Sequence, residues 1–171
     1  MLVKYVGDEM EDEGAVTEYV GSSRMEMTSD ALGLAFGFSI RAAGIAVNGT
    51  EVDLTNATVD VFGDGTQYKL LRMGAVVTNE PGKGLADLKL ADVDGTKCVD
   101  IAAKYLCDLE GDVAKFAVRI TNVPLDEKDT MVYARAYYVF EYEGREVVVY
   151  DDIQSANYNN KYDSNDGVLE W

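Results

Sequence analysis

The feature that most constrains this chain is its division into short alternating segments that end at glycine, Asn-Gly or Asp-Gly turns. Apolar and small residues alternate in runs such as residues 34–40, and no segment sustains a helical period. Alternation with period two places successive side chains on opposite faces of an extended strand. We therefore predict an all-β protein, an antiparallel β-sandwich of immunoglobulin-like or jelly-roll-like type, with about 8–10 strands and little helix.

One predicted strand, MVYARAYYVFEY, shows how the faces are assigned. Tyr133, Arg135 and Tyr137 share one face, which we expect to be exposed, with Arg135 stacking between the tyrosines or pairing with Glu141. The opposite face includes Tyr138, and we expect it to pack into the core because its residues are almost all apolar or aromatic.

The charge and the absence of histidine exclude several function classes. The chain has 31 acidic and 15 basic residues, no histidine and a net charge of −16. It therefore lacks the positive surface that binds nucleic acid or anionic membranes, and no stretch reaches the ~18 apolar residues of a membrane helix. Ser-His-Asp and Cys-His catalysis are excluded. Asp151 and Asp152 are neighbours on a predicted strand and point to opposite faces, so we predict no catalytic residues and no enzyme.

The chain divides into three parts by composition. Residues 1–30 form an acidic segment in which LVKYV is expected as an edge strand and residues 8–13 as a solvated loop. Residues 31–159 form the β-sandwich domain, and residues 160–171 form a polar C-terminal tail. The N-terminus lacks the basic start and apolar run of a signal peptide, so we expect either a protein that is not exported or a mature piece of an exported one.

Several segments occur in an order that resembles a known module. They include GLAFGFSIRAAGI (33–45), YKLLRMGAVVTNE (68–80), AVRITNVP (117–124) and ARAYY (134–138). Over residues 33–159 the chain resembles the β-sandwich module that recurs in large secreted cell-surface proteins of Gram-positive anaerobes, many of them gut clostridia. The resemblance implies a β-sandwich outside the cell with a role in spacing, adhesion or glycan binding, and it supplies no catalytic residue. The closing segment departs from the family pattern, because Asp151, Asp152 and Ile153 stand where the family has GDTV.

These observations favour a non-catalytic extracellular module of a bacterial surface protein, acting as a spacer, an adhesion domain or a weak glycan-binding domain. Its partners would be a glycan or a cell-surface protein, without nucleic acid and without membrane insertion. The alternative is a structural subunit of an assembly, a filament or a phage decoration protein on the virion. Such a subunit would self-assemble through an edge strand, because an unpaired strand edge can pair with a neighbour's sheet.

Aromatic residues are the candidate glycan ligands, because exposed Tyr and Trp rings stack on sugar rings. The candidates are Tyr158, Tyr162 and Trp171 in the polar C-terminal region, and Tyr133 and Tyr137 on the strand face expected to be exposed. The same tyrosines also suit a purely structural role, because Tyr is a favoured strand residue whose hydroxyl reaches water at the rim of a sheet.

Calcium is the one cofactor that the sequence offers, since Asp and Asn oxygens are the ligands it prefers. The candidate ligands are Asp163, Asn165 and Asp166, and the loops GDGT and DVDGT are further candidates. The same residue types make ordinary turns, so the alternative is a protein without any cofactor.

Overall fold

The computed structural model describes residues 9–12, 16–26, 31–79 and 88–159. Besides two short 3-10 helices at Leu90–Asp92 and Leu125–Glu127, these residues form twelve strands, more than the 8–10 expected. The strands are β1 (Glu9–Glu11), β2 (Thr17–Glu26), β3 (Ala31–Arg41), β4 (Ala46–Asn48), β5 (Glu51–Asp53), β6 (Thr58–Val59), β7 (Tyr68–Thr78), β8 (Cys98–Ala102), β9 (Asp108–Glu110), β10 (Val113–Pro124), β11 (Val132–Tyr142) and β12 (Arg145–Ala156). The prediction of an all-β antiparallel sandwich is confirmed.

The larger sheet has the strand order β1-β12-β11-β7-β6, and β8 also pairs with β7. All its pairs are antiparallel except β1 with β12, where Glu9 lies opposite Val148 in a parallel register. β1 lies in the acidic run that was expected to be a solvated loop. That prediction is wrong for Glu9–Glu11, because main-chain pairing with the edge of β12 holds them. The predicted LVKYV strand lies outside the described residues.

The second sheet has the order β2-β3-β10-β9 and is antiparallel throughout. A separate hairpin joins β4 to β5 through the predicted bend at Asn48 and Gly49, where Gly49 has a φ of 71°. β2 belongs to the acidic first 30 residues, so part of that segment contributes a full-length strand to the sandwich.

The core lies between the two sheets and follows the predicted alternation. Leu34, Phe36, Phe38 and Ile40 are buried on one face of β3. They belong to one cluster with the inward side chains of β10 and β11, including Phe116. Each buried aromatic or large aliphatic side chain contributes about 1.5–3 kcal/mol through removal of apolar surface from water.

β11 is buried on both faces, which the sequence did not indicate. Its inward face carries Tyr138 as predicted, but its outward face, with Tyr133 and Tyr137, is also buried. The outward face forms a second cluster with Leu88 and Leu90, because the segment before and within the first 3-10 helix folds over it. The expectation that this face is exposed is therefore wrong.

Candidate functional site

The tyrosines predicted to bind glycans do not form a common surface within the described residues. Tyr133 and Tyr137 are buried in the second cluster, and the Tyr137 hydroxyl donates a hydrogen bond to Asp100 Oδ1 at 2.5 Å. The ring of Tyr158 has the Arg24 guanidinium 5.5 Å and the Lys128 ammonium 5.8 Å from its centroid. Tyr158 thus makes cation–π contacts with two side chains of the chain itself, and its role in glycan binding stays a prediction. Tyr162 and Trp171 lie outside the described residues.

Arg135 binds main-chain groups and does not pair with Glu141. Its Nε donates to the Asp151 carbonyl oxygen at 2.7 Å and its Nη1 donates to the Leu88 carbonyl oxygen at 3.3 Å. Its guanidinium lies 4.8 Å from the Tyr150 ring centroid and 3.7 Å from a Glu11 carboxylate oxygen. Six residues along a strand span about 20 Å, which is too far for an Arg135–Glu141 pair. Arg135 thus joins β11, β12, β1 and the covering segment.

The candidate calcium loops use their carboxylates to close turns. Asp64 Oδ1 accepts the Thr66 N–H at 2.9 Å. Asp94 Oδ1 accepts hydrogen bonds from the main-chain N–H groups of Cys98 at 3.1 Å, Thr96 at 2.9 Å and Lys97 at 2.9 Å. These three bonds hold the pKa of Asp94 well below its usual range. Across residues 9–12, 16–26, 31–79 and 88–159, no group of three or more Cys, Asp or Glu side chains is placed to hold a metal ion. Asp163, Asn165 and Asp166 lie outside these ranges.

Three other aromatic residues do form a surface, at the end of the sandwich where β6 meets β7 and β11 meets β12. We call Phe62, Tyr68 and Tyr142 the aromatic patch. Their ring centroids lie 5.7 Å (Phe62–Tyr68), 6.0 Å (Phe62–Tyr142) and 5.6 Å (Tyr68–Tyr142) apart. Phe62 is 48% exposed, and the buried Phe140 lies beneath all three rings. The patch is therefore the exposed end of the aromatic core.

Hydrogen bonds fix the loop that carries Phe62. Asp60 Oδ2 accepts the Gly65 N–H at 3.0 Å, and the Thr58 hydroxyl donates to Gln67 Oε1 at 3.0 Å. Gly63 and Gly65 have φ values of 69° and 87°, which glycine adopts without strain. A ring held in this way loses little conformational entropy when a ligand stacks on it.

Carboxylates surround the patch. The pKa of Tyr68 is raised, first by partial desolvation of its hydroxyl and then by the Tyr142 hydroxyl. The negative charges of Asp64, Glu143 and Asp60 raise it further. The Tyr68 hydroxyl therefore stays protonated at neutral pH and can donate a hydrogen bond, while the carboxylates can accept them.

A pocket of about 270 Å³ opens next to the patch. Phe62 belongs to both, and the pocket is also lined by Met10, Asp12, Val61, Tyr138 and Val149. Tyr138 and Val149 are buried core residues on β11 and β12. Patch and pocket thus form one continuous surface.

The sequence contained one signal for this site that the reasoning missed. Phe62 is a large apolar residue in the sequence DVFGDGT, directly before the turn GDGT. A solvent-facing turn gives such a residue little to bury itself against, so its presence there indicates either a packing contact or a binding role.

Comparison of the chain with protein-family models, with curated proteins and with solved structures gave no match. The resemblance to clostridial surface modules therefore stays a prediction. Among the described residues, no helix is long and apolar enough to cross a membrane.

Proposed function

We propose that this protein is a non-catalytic, extracellular module of a bacterial surface protein, and that it binds glycans through the aromatic patch. The observation that supports this most is the exposed Phe62 ring, which a hydrogen-bonded loop holds against Tyr68 and Tyr142. The C–H face of a sugar ring packs on aromatic rings, and its hydroxyls need acceptors and donors nearby. The patch and its surrounding carboxylates offer both.

The charge of the site restricts the class of glycan. Asp60, Asp64 and Glu143 surround the patch, and the whole chain carries a net charge of −16. Like charges across an interface cost binding energy and slow association. The preferred ligands are therefore neutral or amino-bearing glycans, and uronic acid or sulfated glycans are disfavoured.

We expect Phe62→Ala to weaken glycan binding about tenfold or more, because it removes the most exposed ring of the patch. Calorimetric titration against cello-, xylo-, manno-, chito- and galacturono-hexaose measures the affinity. Tyr105→Ala is the matched control, since this ring is 50% exposed and lies outside the patch. Tyr158→Ala tests the surface predicted from sequence. Equal affinities of Phe62→Ala and the wild type, or no binding by any of the five sugars, would contradict the proposal.

The outer edge of β10 favours a second function, which is self-assembly by strand pairing between copies. On that edge β9 covers only residues 113–115, and none of the other described strands pairs along residues 117–121 there. An unpaired edge is a template for a strand of another chain. The exposed Arg119 lies on this edge and is a charge of the kind that discourages such pairing, so glycan binding remains the first proposal.

If copies pair through this edge, light scattering will show species heavier than 18.7 kDa that increase with protein concentration. Arg119→Pro removes an N–H from the open edge and should return the mass to that of the monomer. A monomer at every concentration would rule this function out.

A further inference from the structure

The wall of the pocket beside the aromatic patch includes a largely buried tyrosine whose hydroxyl no other described residue binds. Tyr138 is 1% exposed and lines the pocket. Its ring packs near Phe140, and within the described part of the chain no protein group makes a hydrogen bond to its hydroxyl. The hydroxyl of a largely buried side chain nearly always has a hydrogen-bond partner, either in the protein or in water. A ligand in the pocket would supply that partner.

The other walls of the pocket have two kinds of chemistry. Met10, Val61 and Val149 are apolar, and Phe62 adds an aromatic ring at the side shared with the patch. The polar side holds Glu11 and Asp12. Asp12 Oδ2 accepts the Thr17 N–H at 2.6 Å and is thereby fixed in place. Burial and the charge of Asp12 raise the pKa of Tyr138, so the hydroxyl is always available as a donor at neutral pH.

This combination suits one sugar ring. A pyranose has an apolar C–H face and a ring of hydroxyls, which match the apolar walls and the Tyr138 and Asp12 groups. The volume of about 270 Å³ corresponds to roughly nine water molecules at ~30 Å³ each. Among the described lining residues there is no Lys or Arg, so the pocket offers no charge partner to an anionic group.

We propose that the pocket is a chain-end subsite, which holds the terminal sugar of a glycan whose next units stack on the aromatic patch. The inference rests on the proposed function and deepens it. Phe62 connects the two surfaces, and the pocket is also lined by the core residues Tyr138 and Val149, so we expect it to end at the core. A glycan chain that enters the pocket cannot continue beyond its first unit, so the site recognises ends in preference to internal segments.

The test uses Tyr138→Phe in the full chain, because this variant keeps the ring and removes only the hydroxyl. Its affinity and that of Phe62→Ala are measured by calorimetry for the hexasaccharides named above and for a high-mass polymer of the same linkage. We expect Tyr138→Phe to weaken hexasaccharide binding about fivefold or more, and the wild type to bind the polymer weakly at equal mass concentration, because the polymer has few ends. Val61→Phe narrows the pocket without changing the hydroxyl and should weaken hexasaccharide binding by a similar factor. This variant replaces Tyr138→Phe as the test if Tyr138→Phe folds poorly.

The outcomes separate the two proposals. If Phe62→Ala loses affinity while Tyr138→Phe and Val61→Phe bind both ligands like the wild type, the chain-end subsite is wrong and the patch remains the glycan site. Polymer binding as strong as hexasaccharide binding at equal mass also overturns the subsite. If no variant changes the affinity, both proposals are wrong.

Discussion

Phe140→Ala is expected to lower the free energy of unfolding by about 3–5 kcal/mol, because it removes a buried aromatic ring and leaves a cavity. Phe140 is 0% exposed. Its ring centroid lies 5.5 Å from that of Tyr68, 6.1 Å from that of Tyr142 and 6.3 Å from that of Phe62. The surrounding rings belong to different strands and a hydrogen-bonded loop, so they cannot collapse easily into the space.

Urea denaturation followed by circular dichroism measures this change. Phe140→Leu keeps most of the volume and is expected to cost less than Phe140→Ala. Tyr105→Ala, at an exposed site, should stay within about 0.5 kcal/mol of the wild type. A loss below about 1 kcal/mol for Phe140→Ala would show that the ring is not packed as described. Since Phe140 supports the aromatic patch, the alanine variant should also bind glycans more weakly.

Arg135→Met is expected to lower the free energy of unfolding by about 3 kcal/mol, because two main-chain carbonyl groups in a buried site lose their hydrogen bonds from the charged guanidinium. Arg135 is 8% exposed and donates to the carbonyls of Asp151 and Leu88. Methionine fills part of the space but cannot donate a hydrogen bond. The change should release the segment that covers Tyr137, since Arg135 is one of its anchors.

Arg72→Met is the matched control. The Arg72 side chain is 45% exposed and pairs with Glu146 at 3.4 Å on the same sheet. An exposed ion pair contributes at most about 1 kcal/mol, so the loss should be small. Both variants are compared by urea denaturation. Equal losses for Arg135→Met and Arg72→Met would contradict a structural role for the buried guanidinium.

Local pattern was enough to predict the sandwich and its inner faces. The alternation in β3 placed Phe36 and Phe38 in the core, and Tyr138 was assigned to the correct face of β11. The burial of Tyr133 and Tyr137 could not be predicted in this way. It depends on Leu88 and its neighbours, more than forty residues earlier in the chain. The pairing of Glu9–Glu11 with β12 uses main-chain groups, which composition and charge do not reveal.

The aromatic patch also depends on contacts between segments that are distant in the sequence, because strand register brings its rings together. Leu70 lies opposite Phe140 in the antiparallel pair of β7 and β11, and this register brings Tyr68 beside Tyr142. Nothing in the local sequence sets that register. Phe62 joins them only because its loop folds back over the end of the sheet. Sequence reasoning thus identified aromatic glycan binding as a hypothesis but assigned it to other rings.

The most direct test of the account is an amide chemical-shift titration of the labelled protein with the hexasaccharide that binds best in the calorimetric panel. We expect the largest shifts in residues 60–68 and 140–143, which carry the aromatic patch and its loop. Smaller shifts should appear at Asp12 and Tyr138, which line the adjacent pocket. Shifts that cluster around Tyr105 or Tyr158, with none at Phe62 and its neighbours, would contradict it.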